Sequence, residues 1–599
     1  MMVDSAISQI SKQNLASIPE DGAALNSDQI DRSIDNDICD ADDEKCKQNQ
    51  RVDIPTIPKE DKNEESPRKI QPLGKFDKKP RPKEPDADQR PLFDKSLPVP
   101  PIDQAKPVKD TNANDKKDKS NVKFDPGVHK IAPVESSSEM DFKIIHKMIE
   151  HAFTTFSSCC VESDFLENGH GYNVYKHPMS LTAIDGLDTL LLYHYVKNSK
   201  ESEDLLNKIY KSVLKSKLIN DQSVSMFEMN IRITGGLLGA VHIVDFLDLP
   251  NFDKTALIEK AAEFVSLNID KYSNSNGVPY AYMNLKTEER GYQTWIQYAF
   301  LSEVGSHQLE FKSLEHMVAD NSKYSKIRFS SYSDKVFKDL LSQSDELFPS
   351  CIDKQTGKLV ASSAVTLGAF ADSFYEYILK MYILTGEELY KTKFIQVAKY
   401  IKRDLIQEYT IDKEKVYLLK SSDSNGFDHL TCFAGGMFAL ASTVIPEHAM
   451  EYMDIGRKLT HGCWAIYQVF PTGLGPDLCS PSINKDNEFT CSLNPASVDG
   501  QFKLRPELVE SIYYLYRITK EEKYKEWNYK IANSIEHFCK TEFGYVDVHV
   551  RTKEQGSRQD SWFVAETLKY LLLTFELEDL VPLKDFVFNT EAHPLRINK

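Results

Sequence analysis

The sequence predicts an all-α fold: a toroid of helix hairpins closed around an acid-lined pocket, preceded by a disordered N-terminal tail. Three observations predict it. From Met140 to about residue 575 helical patterns follow one another, with few alternating strand runs and no glycine-rich phosphate loop. Acidic residues recur in or near first helical turns, in stretches spaced mostly by several tens of residues, the length of a helical hairpin. Paired glycines, Gly235-Gly236 and Gly435-Gly436, let helices approach closely. A linear solenoid would not pile up buried acids. Closing the pairs into a ring aims every inner-helix N-terminus at one cavity.

Residues 1–135 form the tail or stalk. Lys59–Lys75 and Lys78–Pro85 are dense in Pro, Lys, Asp and Glu and nearly lack aromatics. Such a segment cannot bury enough apolar surface to offset its chain entropy. The helical domain is expected over 136–599. Its first helix, Met140–Phe156, places Ile144, Ile145, Met148, Ile149, Ala152, Phe153 and Phe156 on one side. The recurring acids then come in order: Asp185 and Asp188, Glu228 with Arg232, Glu310, Asp372 with Glu376, Asp428 beside His429, Glu507 with Glu510, and Glu566. Short strands fit Gly277–Leu285, Lys415–Leu419 and Tyr545–Val550.

Leu504–Ser511 is the sharpest of these stretches. Pro506 suits the first helical position, and Val509, Ile512, Tyr513 and Tyr516 continue an apolar stripe. Glu507 and Glu510 share one face of that turn. The helix N-terminus and Arg505 favour both as carboxylates, which suits a base for water activation or a shell for a hard cation. Acids in a first turn also serve plain dipole complementarity; repetition along the chain is what favours a site.

Composition narrows the function. The 599 residues are 41% hydrophobic, ample for a large core. The formal net charge of −17 offers no basic face for a phosphate backbone, so nucleic acid is excluded as a partner. No run approaches the ~20 apolar residues of a membrane span, and Met1–Glu20 lacks the apolar core of a signal peptide. The ten cysteines, including vicinal Cys159-Cys160, show no zinc spacing, and there is no Asn-X-Ser/Thr acceptor.

Read together, FEMNIRITGGLLGA (Phe227–Ala240), GSHQLEF (Gly305–Phe311), ADSFYEYILK (Ala371–Lys380), DHLTCFAGGMFAL (Asp428–Leu440), PTGLGPD (Pro471–Asp477), LRPELVESIYYLYR (Leu504–Arg517), FVAETLKYL (Phe563–Leu571) and VFNTEAHPL (Val587–Leu595) resemble the class I α-mannosidases, glycoside hydrolase family 47. The resemblance runs from about residue 140 to the C-terminus. It implies a barrel of seven helix pairs, (α/α)7, and a bound Ca2+. It also implies inverting hydrolysis of terminal α-1,2-linked mannose from high-mannose N-glycans, in glycoprotein processing or quality control in the endoplasmic reticulum or Golgi. Family members are commonly held by an N-terminal membrane helix; residues 1–135 look like such a stalk without its anchor. A monomer is expected.

Residue by residue, the resemblance makes Glu228 the acid, acting through a water, with Arg232 orienting it. Asp372 and Glu507 match the carboxylates near the attacking water, with Glu507 as base and Asp372 as the alternative, and His429 matches a pocket histidine. Inversion needs this division between an acid and a base. Thr590 matches the direct calcium ligand, through hydroxyl and carbonyl oxygens. Glu310, Glu510, Glu566 and Glu591 would hold its waters and the sugar hydroxyls; Arg505 and Trp562 complete the substrate-binding set. Cys432 and Cys463 match the family's disulfide. Three positions depart from the pattern: Asn173 and Asp477 stand where Asp and Glu are usual, and Phe370 stands where Arg or a Leu-like residue is found. These departures bear on branch specificity and keep one rival reading, a non-catalytic mannose-glycan receptor on the same barrel; a helical scaffold whose tail recruits partners is a further rival, which has no need for clustered acids.

Overall fold

The computed structural model describes residues 142–159, 179–293, 296–494, 498–576 and 580–597. The expected tail, Cys160 and Asn173 lie outside the described residues.

Among the described residues fourteen helices build the ring: α1 Lys143–Cys159, α2 Leu187–Lys197, α3 Lys200–Lys215, α4 Gly235–Phe246, α5 Lys254–Ile269, α6 Gln308–Met317, α7 Phe329–Leu341, α8 Asp372–Thr385, α9 Glu388–Tyr400, α10 Phe433–Val444, α11 Ala449–Val469, α12 Glu507–Thr519, α13 Glu522–Phe538 and α14 Leu568–Phe575. The even-numbered helices are the inner set. Each touches the next, from α2 through α14, and α14 returns to α2. Each is backed by the odd-numbered helix that follows it, except α14, which is backed by α1. This is the expected (α/α)7 barrel.

Sequence explains which helix is inner. Helix α4 is Gly-Gly-Leu-Leu-Gly-Ala-Val-His-Ile-Val over its first ten residues, all of them buried, because it meets neighbours on every side. Helix α3 turns only one stripe inward, with Leu206, Ile209, Tyr210 and Val213 buried, and starts on a Ser199–Ser202 capping box. The paired glycines act as expected. A Cβ on Gly236 would lie 2.7 Å from the Ile184 carbonyl oxygen, and one on Gly436 would lie 3.1 Å from Ser511 Cα. The expected strands appear as short antiparallel pairs, the longest joining Ile406–Ile411 to Glu414–Leu419. Helix α12 begins at Glu507, with Pro506 as its cap rather than its first residue. Among the described residues no single helix is long and apolar enough to cross a membrane.

Two disulfides form among the described residues. Cys432–Cys463 ties the turn leading into α10 to α11, as the resemblance implied. Cys479–Cys491 joins the strands Leu478–Ile483 and Phe489–Ser492, a pairing with no signature in the sequence.

The C-terminal hairpin, Phe586–Phe588 paired with Pro594–Arg596, enters the ring and packs on α4, α6 and α8. Its turn is held by buried ions. His593 Nδ1 lies 2.9 Å from Asp188 Oδ2 and Nε2 lies 3.0 Å from Asp185 Oδ1, so both ring nitrogens face carboxylates. Lys569 Nζ donates to the Ala592 carbonyl at 2.7 Å and pairs with Asp188 at 2.8 Å. Lys380 Nζ donates to the Asn589 carbonyl at 3.2 Å.

Burial works against a charged His593, but Asp188 and Asp185 outweigh it and raise the imidazole above its ordinary value. Stability from this contact is therefore complete below the unfolded histidine value of about 6.5 and is lost as pH rises through the raised folded value. Replacing His593 with Gln should cost about 3–5 kcal/mol, the penalty for breaking a buried ion pair, and should flatten that part of the pH dependence. Urea denaturation at a series of pH values measures both; a variant as stable as wild type would show that the histidine does not hold the turn.

Candidate active site

Every inner helix begins on, or is led in by, a titratable side chain. Asp185 and Asp188 flank the start of α2, and Glu310 lies in the first turn of α6. Asp372 and Glu507 are the first residues of α8 and α12. Glu228 lies in the short helix Met226–Met229, and Arg232 in the π-turn Asn230–Thr234 that runs into α4. His429 opens the 3-10 turn before α10, and Glu566 lies in the π-turn Phe563–Thr567 before α14.

On one side, Arg232 gathers carboxylates. Its Nε donates to Glu228 Oε2 at 3.0 Å, its Nη1 donates to Asp185 Oδ2 at 3.2 Å and Ser561 Oγ at 3.1 Å, and it pairs closely with Glu591. Burial pushes the Glu591 carboxyl well above its ordinary value, although Arg232 opposes the shift. The Arg232 guanidinium also stands 5.6 Å from the Trp562 ring centre.

On the other side, Asp372 is half-buried, and desolvation, with repulsion from Asp428, Glu376 and Glu507 added, pushes it up to about 8. Glu507 Oε2 lies 2.8 Å from His429 Nδ1, but the ring is not aligned for a hydrogen bond, so this is a close polar contact. His429 Nε2 meets the Tyr467 hydroxyl at 2.7 Å. Asp428 accepts the Ala369 amide at 3.1 Å and the Leu430 amide at 3.0 Å; burial pushes it up to about 6.

Arg505 differs from the sequence reading. Its Nε donates to Asp477 Oδ1 at 2.7 Å, while Lys503 takes Asp477 Oδ2 at 2.9 Å. Burial pushes Asp477 up, but these two cations outweigh it and hold the carboxyl well below the usual range. Arg505 lies 5.3 Å from Trp562, so the indole stands beside both guanidiniums, and its Nε1 donates to the Lys503 carbonyl at 3.0 Å. Glu510 is not held as a carboxylate. Burial, with Glu376 and Glu507 repelling and Lys380 attracting, pushes it up to about 8. Phe370 takes the left-handed backbone, φ 79°, unusual for a bulky residue. Its ring stacks on Phe300 at 4.0 Å, which covers one of its faces.

Glu310 is fully buried and its oxygens are engaged: Tyr377 Oη donates at 2.7 Å, and Asn589 Nδ2 and Asn230 Nδ2 donate at 2.8 and 3.0 Å. It thus grips the C-terminal turn at Asn589. Thr590, next along, is half-buried, and its amide donates to Tyr377 Oη at 3.4 Å. The donor set here fits a hard cation. Burial and repulsion from Glu591, Glu510 and Glu507, with Arg232 opposing, raise Glu566 well above its ordinary value. Among the described residues no three His, Cys, Asp or Glu side chains converge as direct metal ligands. A calcium ion here would take Thr590 oxygens and waters, with the carboxylates around them.

The sequence reading missed Lys380, Lys503 and Lys569. A lysine inside an apolar helix, as Lys380 and Lys569 are, reads as surface, and Lys503 lies in the loop before α12; only the folded ring shows their partners.

An α/α barrel whose inner helices all present acids or their partners at their N-termini is a fold and site of the carbohydrate-hydrolase kind. Residues 148–597 match glycosyl hydrolase family 47, and the chain belongs to that family. The chain is 32% identical over 449 residues to mannosyl-oligosaccharide alpha-1,2-mannosidase IA of Spodoptera frugiperda, covering 70% of this chain and 60% of that protein. It is 30% identical over 446 residues to the human endoplasmic reticulum mannosyl-oligosaccharide 1,2-alpha-mannosidase, covering 70% and 58%. The chain thus spans about three fifths of the length of these relatives. The alpha-1,2-mannosidase from Trichoderma reesei shares the fold, with a TM-score of 0.66 and 23% identity over 76% of this chain and 99% of that one.

Removing Arg232 would leave Glu228, Asp185 and Glu591 without their shared cation. Arg232→Ala should cost about 3–5 kcal/mol at pH 7, and acidification should recover part of it as the carboxyls take up protons. Chemical denaturation at pH 7 and pH 5 tests this; equal losses at both would show that charge is not what Arg232 supplies.

Proposed function

We propose that this chain is a calcium-dependent, inverting 1,2-α-mannosidase that trims terminal α-1,2-linked mannose from high-mannose N-glycans on glycoproteins. Support comes from family membership, from the names of the relatives, and above all from one arrangement: three carboxyl groups at inner-helix starts, each in a different environment. Glu228 meets Arg232, Asp372 stands among other acids and Glu507 lies beside His429.

In this reading Glu228, oriented by Arg232, protonates the departing glycosidic oxygen through a water. Glu507, at the head of α12 beside His429, takes a proton from the water that attacks the opposite face of the sugar. Asp372, protonated at neutral pH, donates a hydrogen bond rather than competing as base. Trp562, Phe370 and Arg505 wall the pocket, and Asp477 fixes Arg505. The calcium ion, when bound, supplies fixed positive charge that orients sugar hydroxyls. Thr590 would hold it, and Glu510, Glu566 and Glu591 would hold its waters. The endoplasmic reticulum or Golgi lumen is the proposed place of action, as a monomer, in glycan processing or glycoprotein quality control.

Incubation with a nine-mannose glycan should release mannose, and Glu228→Gln should reduce turnover by about 10²–10⁴-fold, the usual worth of general acid–base catalysis. Undiminished turnover in that variant would take Glu228 out of the mechanism. Calcium should raise the melting temperature of the wild type, because a ligand that binds only the native state stabilises it. Thr590→Ala should blunt that rise; a full calcium response in the variant would place the ion elsewhere.

A further inference from the structure

Next to the disulfide Cys432–Cys463 stands a tyrosine that the scheme above does not use. His429 lies three residues before Cys432, on the 3-10 turn that leads into α10, and Tyr467 lies four residues after Cys463, on α11. Three residues on a 3-10 turn, like four on an α-helix, return to the same side. The bond between the cysteines therefore brings the two rings together. Their centres are 5.7 Å apart, and Tyr467 Oη lies 2.7 Å from His429 Nε2. Both side chains are buried. Phe502 packs on the pair, 6.2 Å from the imidazole and 6.1 Å from the phenol, and a Cβ on Gly475 would collide with the Tyr467 ring. The His429 amide donates to the Asp477 carbonyl at 2.9 Å, which anchors the backbone behind the ring.

On the other edge of the imidazole, Nδ1 lies 2.8 Å from Glu507 Oε2. The angle there is poor for a hydrogen bond, yet the sign of the contact still matters. A bare nitrogen lone pair would repel a carboxylate oxygen at that distance, whereas an N–H is attracted to it even off the ideal line. A neutral imidazole carries one hydrogen, and the bond made by one nitrogen decides which nitrogen holds it. A hydrogen on Nδ1 leaves Nε2 as an acceptor, and Tyr467 is the donor placed to meet it. Burial, with the Glu507 charge added and Arg505 opposing, holds the Tyr467 hydroxyl well above its ordinary value, so the hydroxyl keeps its hydrogen. Glu507 Oε2 is itself buried, while the side chain keeps 12% of its surface exposed. With Oε2 turned onto the ring, Oε1 is the oxygen left for a water.

We propose that Tyr467 is a positioning residue of the base: its hydroxyl donates to His429 Nε2, selects the form of the ring with hydrogen on Nδ1, and so holds Glu507 Oε2 on the ring and leaves Oε1 to face the attacking water. This rests on the reading of Glu507 as base. Tyr467 acts only through His429, and no proton travels along the line. In the step, Glu507 Oε1 takes a proton from the water while the His429 and Tyr467 hydrogens stay where they are. The cysteine pair then does more than join two elements, because it sets the distance between the phenol and the imidazole.

The test is kcat and KM on a nine-mannose glycan for the full chain and for Tyr467→Phe, each with His429 intact and with His429→Ala. With His429 intact, Phe should lower kcat at least about tenfold with KM nearly unchanged. In the His429→Ala background the same change should cost nothing further, because its effect runs through the imidazole. A wild-type kcat in Tyr467→Phe overturns the proposal, and so does an equal loss in both backgrounds, which would make the phenol a packing residue. Nitrogen NMR of histidine-labelled protein at pH 7 gives a readout without turnover, and serves if a variant does not fold or turn over. The His429 signals are found by their loss in His429→Ala, or as those that Tyr467→Phe moves. They should show hydrogen on Nδ1 and a bare, hydrogen-bonded Nε2 in the wild type; a ring protonated at Nε2 overturns the proposal. Turnover that survives Glu507→Gln would instead overturn the reading of Glu507 as base, whatever the ring nitrogens show.

Discussion

The contact between His593 and the two aspartates at the start of α2 is the constraint on which the site depends. It joins residues 405 and 408 positions apart in the chain, deep in the barrel. Buried charges are tolerable only when each finds a partner, and here they alternate: Lys569, Asp188, His593, Asp185, Arg232, Glu228. The line starts on α14, passes through the C-terminal turn and ends on the candidate acid. Fixing His593 also fixes Asn589, whose side-chain oxygen accepts the Glu591 and His593 amides at 3.0 and 2.8 Å. Asn589 in turn places Thr590 and holds Glu310. The position of Thr590 is thus set by ions that do not touch it.

The approach of two inner helices adds to this. Arg232 and Glu566 both lie in π-turns, Asn230–Thr234 and Phe563–Thr567. A π-turn inserts an extra residue into the helical cycle and re-aims the side chains around it, which is why such turns gather at functional sites. The cost in backbone regularity falls where two guanidiniums flank Trp562, and that ring fixes their separation.

The ring was legible because its causes are local. Helical period, hairpin spacing and first-turn acids are properties of short stretches, and each inner helix wrote its own signature. The partners of those acids were less legible. The sequence pairs Arg505 with its neighbours; Glu507 does act on it, but Asp477, from a segment some thirty residues earlier, holds its Nε. A helix N-terminus favours Glu510 as an anion; burial beneath Tyr570 reverses that, which only the packed structure reveals. Asn589-Thr590-Glu591 carried no ligand spacing and was readable only by resemblance. Cys479 and Cys491 had no motif at all, since their pairing depends on the hairpin that aligns them.

The closing of the ring through α1 has a consequence for how the protein is made. Helix α1 buries Ile145, Met148, Ile149 and Phe153, and it backs α14, so that His146 meets Glu576, 430 residues later, at 2.7 Å. A ribosome adds about 5–20 residues per second, so α1 waits some tens of seconds for the helix that covers it. During that time an apolar stripe lies open on the nascent chain, with α2 and α3 available to shield part of it. The last turns to emerge are also those that carry His593 and Thr590. The site can therefore assemble only after the whole domain has left the ribosome, and a chain truncated near its end would expose the oldest helix rather than the newest.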